Sequence, residues 1–103
     1  MNAFEIYCNF AAAKRQANEL ENISRKLKYT AENYIAGKSK SLNSAWDGSA
    51  SEAFFEKESR LAERILEEAK SLHKTAETIK RIAKRTYDTE MKALEISKQR
   101  SYS

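Results

Sequence analysis

Nothing in this chain stops a helix except at one place near its middle. Among 103 residues there is no proline, and the two glycines are Gly37 and Gly48. Those two residue types are the strongest local interrupters of helical hydrogen bonding. Gly48 closes the segment Ser44-Ala45-Trp46-Asp47-Gly48, which holds the only tryptophan, and apolar residues at helical spacing run on both sides of it. The expected fold is therefore all-α, an antiparallel two-helix hairpin in a single domain spanning 1–103. Helix 1 is expected over about residues 3–44, a corner over 45–49, helix 2 over about 50–97, and a mobile tail to 103.

The first helix is traced by Ile6, Phe10, Ala13, Ala17, Leu20, Leu27, Ala31 and Tyr34, with Ser24 the one polar member of the series. Steps of three and four place these residues on one stripe. Ile23, Ile35 and Leu42 widen it, and the small residues Ala11 to Ala13 and Ala17 offer a place for another helix to come close. Gly37 predicts a slight bend or fraying, with the helix continuing toward the corner. After Gly48, Ser49-Ala50-Ser51-Glu52 has the form of a capping box, in which a serine side chain and Glu52 satisfy backbone N–H groups reciprocally. The second stripe runs Leu61, Ile65, Ala69, Leu72, Ala76, Ile79, Ala83, Tyr87, Met91 and Leu94, with Phe54 and Phe55 at its start.

A helix of about 45 residues is roughly 65–70 Å long at ~1.5 Å per residue. Two such helices packed as a hairpin bury one seam, which is little core for so small a chain. Both stripes are wider than a two-position heptad seam, so apolar surface is left over. A second hairpin would cover it, giving a four-helix bundle dimer. The expected dimer or partner seam is Phe10, Leu20, Leu27, Phe54, Leu61, Ile65, Leu72 and Ile79.

Hydrophobic residues make up 41% of the chain and charged residues 33%, too apolar for a disordered tail and too charged for a membrane span. The N-terminus lacks the basic region and apolar core of a secretory signal peptide. Net charge is +4, spread over residues of both signs, the pattern of a solvated helical face. Its one concentration is Lys80, Arg81, Lys84 and Arg85, a stripe that could meet a nucleic acid or a membrane surface. No interleaved aromatic offers base stacking there, which counts against nucleic acid.

Catalytic chemistry is not evident. His73 is the only histidine and has no second ligand at a zinc-binding spacing. Cys8 is the only cysteine, so no intrachain disulfide forms, and it reads as a small apolar residue near a helix seam. The carboxylates Glu67 and Glu68 belong to a heavily charged helix and need no catalytic role. There is no glycine-rich phosphate loop. No enzyme activity, cofactor, metal or small-molecule substrate is expected.

With length, two helices and the central corner in place, Trp46-Asp47-Gly48 followed by Phe54 resembles the corner of the WXG (Trp-x-Gly) family of small type VII secretion proteins. The likeness covers essentially the whole chain. It implies a protein made in the cytoplasm and secreted without a cleavable signal peptide, as a substrate or co-secreted targeting partner that works through dimerisation. Trp46 and Gly48 match the corner, which in the family contributes to the surface read by the secretion ATPase. The family's second element, a tyrosine followed four positions later by Asp or Glu, is imperfect here. Tyr87 is followed by Glu90 at three positions, with Met91 in the required place, and one residue rotates the carboxylate by roughly 100° around the helix. Glu90 is thus a degenerate export signal, or this chain travels with a partner that supplies one. That partner is itself, a homologous WXG-type protein, or an LXG-type toxin whose N-terminal helical domain this chain binds as an accessory protein for export.

Overall fold

A computed structural model describes residues 1–45 and 49–102, with side chains placed for 1–37 and 52–101. The corner Trp46-Asp47-Gly48 and the serine side chains of the expected capping box lie outside the described residues. The chain is an all-α hairpin: α1 spans Ala3–Ala45 and α2 spans Ser49–Tyr102, and no strand occurs among the described residues.

Both helix limits have local causes. At the start of α1, the Asn2 side-chain oxygen accepts the Glu5 backbone N–H at 2.8 Å, and the Asn2 carbonyl accepts that of Ile6 at 3.1 Å. Asn2 is therefore an N-cap, and Glu5 adds a negative charge where the helix dipole favours one. At the far end, α2 continues to Tyr102, past the expected stop near 97. Glu95, Lys98, Gln99 and Arg100 are good helix formers, and the Ser101 hydroxyl donates to the Ser97 carbonyl at 3.1 Å. α1 passes through Gly37, where an added Cβ would meet nothing within 4 Å. Gly37→Ala is expected to raise stability by about 0.5–1 kcal/mol, as glycine is costly inside a helix. Thermal denaturation checks this, and an unchanged midpoint would mean that α1 does not persist through residue 37 in solution.

The chain divides into two compact units, Met1–Glu21 with Lys74–Ser103 and Asn22–His73. In the first, Phe10 lies against Tyr87 with ring centroids 4.9 Å apart, and Lys80 Nζ meets Glu21 Oε1 at 3.1 Å. In the second, Ser24 bonds to Ala69 and the Tyr34 hydroxyl donates to the Glu58 carboxylate. Within each unit numbers rise on α1 as they fall on α2, so the two helices are antiparallel.

Apart from Ile6, the buried residues are small. They are Ala17, Ser24 and Ala31 on α1 and Ala62, Ala69 and Ala76 on α2. Ala17, Ser24 and Ala31 recur every seven residues, as do Ala62, Ala69 and Ala76. Within each unit these residues face the other helix, and interaxial distance is set by the side chains at the contact. Methyl groups and one hydroxyl let the backbones come close. The Ser24 hydroxyl accordingly reaches across and donates to the Ala69 backbone carbonyl at 2.6 Å. That bond satisfies the only buried polar side chain among the described residues. Ser24→Ala removes it but gains helix propensity, so the expected loss is at most about 1 kcal/mol in a denaturant titration. A loss well above that would make the serine a principal determinant of helix register.

Candidate functional site

The consequence of a small-residue seam is that large apolar side chains are pushed to its sides. Among the described residues, Ile6 is the only large side chain that is buried. None of the eight residues expected to form a partner seam is buried: Phe10, Leu20, Leu27, Ile65, Leu72 and Ile79 are half-buried, while Phe54 and Leu61 are exposed. Leu61 and Ile82 keep 55% and 53% of their surface in water. The sequence stripe therefore held two functions in one pattern. Alanines and Ser24 hold the hairpin together, while leucines, isoleucines and phenylalanines border it. Ala62, which the stripe passed over in favour of Leu61, is a seam residue, and its seven-residue spacing from Ala69 was the available signal.

Each unit carries a groove built from these displaced residues; the first unit has another, of about 410 Å³, lined by Ala3, Asp88, Met91, Lys92, Leu94, Glu95 and Lys98. In the unit of residues 1–21 and 74–103, a groove of about 360 Å³ is lined by Ile6, Asn9, Phe10 and Ala13 from α1 and by Ile79, Ile82, Ala83, Thr86, Tyr87 and Glu90 from α2. In the unit of residues 22–73, a groove of about 220 Å³ is lined by Thr30, Ala31, Tyr34, Glu58, Leu61, Ala62 and Ile65. Both are open, mostly apolar channels between two antiparallel helices, the shape that accepts a further helix by its apolar stripe.

Tyr87 and Glu90, the imperfect export element, both line the first groove. Tyr87 is half-buried against Phe10, and Glu90 continues the seven-residue series of Ala62, Ala69, Ala76 and Ala83. Their pairing with α1 had no signal in the local sequence, because Phe10 lies 77 positions away from Tyr87 in the chain. Trp46 and Gly48 lie outside the described residues.

The expected basic stripe is divided among separate tasks. Lys80 pairs with Glu21, while Lys84 bonds Asp88 at 2.8 Å and sits 5.6 Å from the Tyr87 ring centre. The Asp88 hydrogen bond first, and its charge second, hold the Lys84 amine above its ordinary pKa. Lys14 lies over Phe10 at 5.4 Å in the same way. Cys8 is exposed and not on the seam, and His73 is exposed. Among the described residues, no group of three His, Cys, Asp or Glu could hold a metal ion, and no helix is long and apolar enough to cross a membrane.

No family model, curated protein or solved structure matches this chain.

Proposed function

We propose that this chain is a WXG-type helical hairpin of a type VII secretion system, a substrate or co-secreted targeting partner that acts by docking a second helical protein. The observation that carries the reading is the row of large apolar residues left outside the alanine seam. Leu61 and Ile82 keep 55% and 53% of their surface in water, and Phe54 keeps 40%; exposed apolar side chains of this kind are what a protein interface buries. Apolar side chains at helical spacing on an open groove suit a helical partner better than a small molecule or a catalytic reaction.

The test is export. Trp46→Ala is expected to lower the secreted fraction several-fold while shifting the melting temperature by only a few degrees, because the corner serves docking to the export machinery. A fall in stability large enough to account for the lost export would reduce Trp46 to a packing residue. Unchanged export would remove the corner from the mechanism.

A second reading makes the chain an accessory protein that binds the N-terminal helical domain of an LXG-type toxin. What favours it is the position of the Tyr87 and Glu90 pair, which lines a groove against Phe10 instead of standing out on the surface. A partner would then supply the export signal. Light scattering of the purified chain, alone and mixed with the product of the adjacent gene, separates the two. The basic stripe gives no comparable support to a nucleic-acid or membrane role, since Lys80 and Lys84 are held by Glu21 and Asp88.

A further inference from the structure

The chain is basic overall, with 19 Lys and Arg against 15 Asp and Glu. The two mostly apolar grooves have the opposite character. The one charged residue lining the first groove is Glu90, and the one lining the second is Glu58. No lysine or arginine lines either. Glu58 accepts a hydrogen bond from the Tyr34 hydroxyl. Glu90 has only neutral polar company in its groove, in Asn9, Thr86 and Tyr87. The lysines on the same stretch of α2 are committed elsewhere, Lys80 to Glu21 and Lys84 to Asp88. Arg81, Arg85 and Lys92 are exposed and line neither groove.

While the groove is open, water solvates the Glu90 carboxylate. Once a helix lies over Ile6, Phe10, Ile79 and Ile82, that water is displaced. A carboxylate moved out of water is strongly unfavourable unless a cation and hydrogen bonds replace the hydration. Docked groove to groove, a second copy of this chain would bring another Glu58 or Glu90 carboxylate from a groove that no lysine or arginine lines. Covering like with like would place carboxylates against carboxylates, whichever way the copies ran.

Resting on the reading that these grooves dock a helical partner, we propose that the occupant of the first groove is an amphipathic helix of a different protein whose apolar stripe carries an Arg or Lys paired with Glu90. Arginine fits best, because its planar fork can bind a carboxylate through two hydrogen bonds and is weakly hydrated. Glu90 is then a specificity residue. It admits a partner with a cation among its apolar residues and disfavours the chain's own copy, in the way interface charges act as much against wrong partners as for right ones.

The test uses the chain itself as the probe. A charge-reversed copy, Glu58→Lys with Glu90→Lys, carries the same apolar residues with cations in place of the two carboxylates. Wild type, the reversed copy and an isotopically labelled equimolar mixture are compared by native mass spectrometry and sedimentation. The mixed dimer is expected to be at least about tenfold tighter than either homodimer. Should the reversed copy lose helical signal by circular dichroism, the neutral variant Glu58→Gln with Glu90→Gln replaces it. Self-association of that variant above wild type supports the proposal, and association equal to or below wild type overturns it. A wild-type homodimer as tight as the mixture overturns the choice of a foreign partner but leaves the docking grooves standing. Absence of association in every sample overturns both.

Discussion

Ala76→Leu is expected to destabilise this chain more than truncating any of its leucines. Ala76 has no exposed surface, and it sits in the seven-residue row that holds the two helices close. A leucine there must be accommodated by separating the helices or by an unfavourable rotamer, at a cost of about 1–3 kcal/mol. For a domain near this size each kcal/mol moves the melting midpoint by about 4–8 °C, so a fall on the order of 10 °C is expected by circular dichroism. The comparison variant is Leu61→Ala. In an ordinary core, leucine to alanine costs about 2–5 kcal/mol. Here Leu61 is already 55% exposed, and its truncation should cost under about 1 kcal/mol. If Leu61→Ala proved the more damaging of the two, the large side chains, not the alanines, would be holding the hairpin.

Ile79→Asp should have the opposite profile, leaving the isolated chain folded and abolishing its complexes. Ile79 is half-buried and lines the first groove. In the free chain, water can reach a carboxylate placed there. In a complex it is covered, with the partner's cation already taken by Glu90, and an unpaired buried charge costs about 3–5 kcal/mol. That corresponds to a loss of affinity of a hundredfold or more. Titration of labelled chain with its partner reads this directly. Wild-type affinity in the variant would move the docking surface off this groove.

The sequence was informative about the helices and much less so about the division of labour along them. Missing prolines and the place of Gly48 were enough for a two-helix hairpin, because long apolar stripes have few other ways to be buried. The end of α2 was harder to read. Residues 97–101 carry no apolar anchor, and their continuation as helix rests on propensity and on the bond from Ser101 to Ser97. Hydrophobic periodicity alone did not reveal which apolar residues meet inside the chain. Leu61 and Ala62 are neighbours that both satisfy a helical stripe, yet only Ala62 is buried. The deciding variable is size: the row that allows closest approach of the backbones excludes everything larger. Phe10 against Tyr87 was not legible either, since their meeting depends on the antiparallel register of two helices.

The alanine seam also fixes how this chain should respond to heat and denaturant. The denaturant slope and the heat capacity of unfolding both scale with the apolar surface that folding removes from water. A hairpin closed by methyl groups removes little, so the free chain should unfold over a broad range of urea, with a shallow slope for its length. Most of that surface would be hidden only when a partner helix arrives. The large negative heat-capacity change that usually marks folding should then appear in the calorimetry of binding, and the melting temperature should climb with partner concentration. Stability would in that sense belong to the complex, with the lone chain holding only a small part of it.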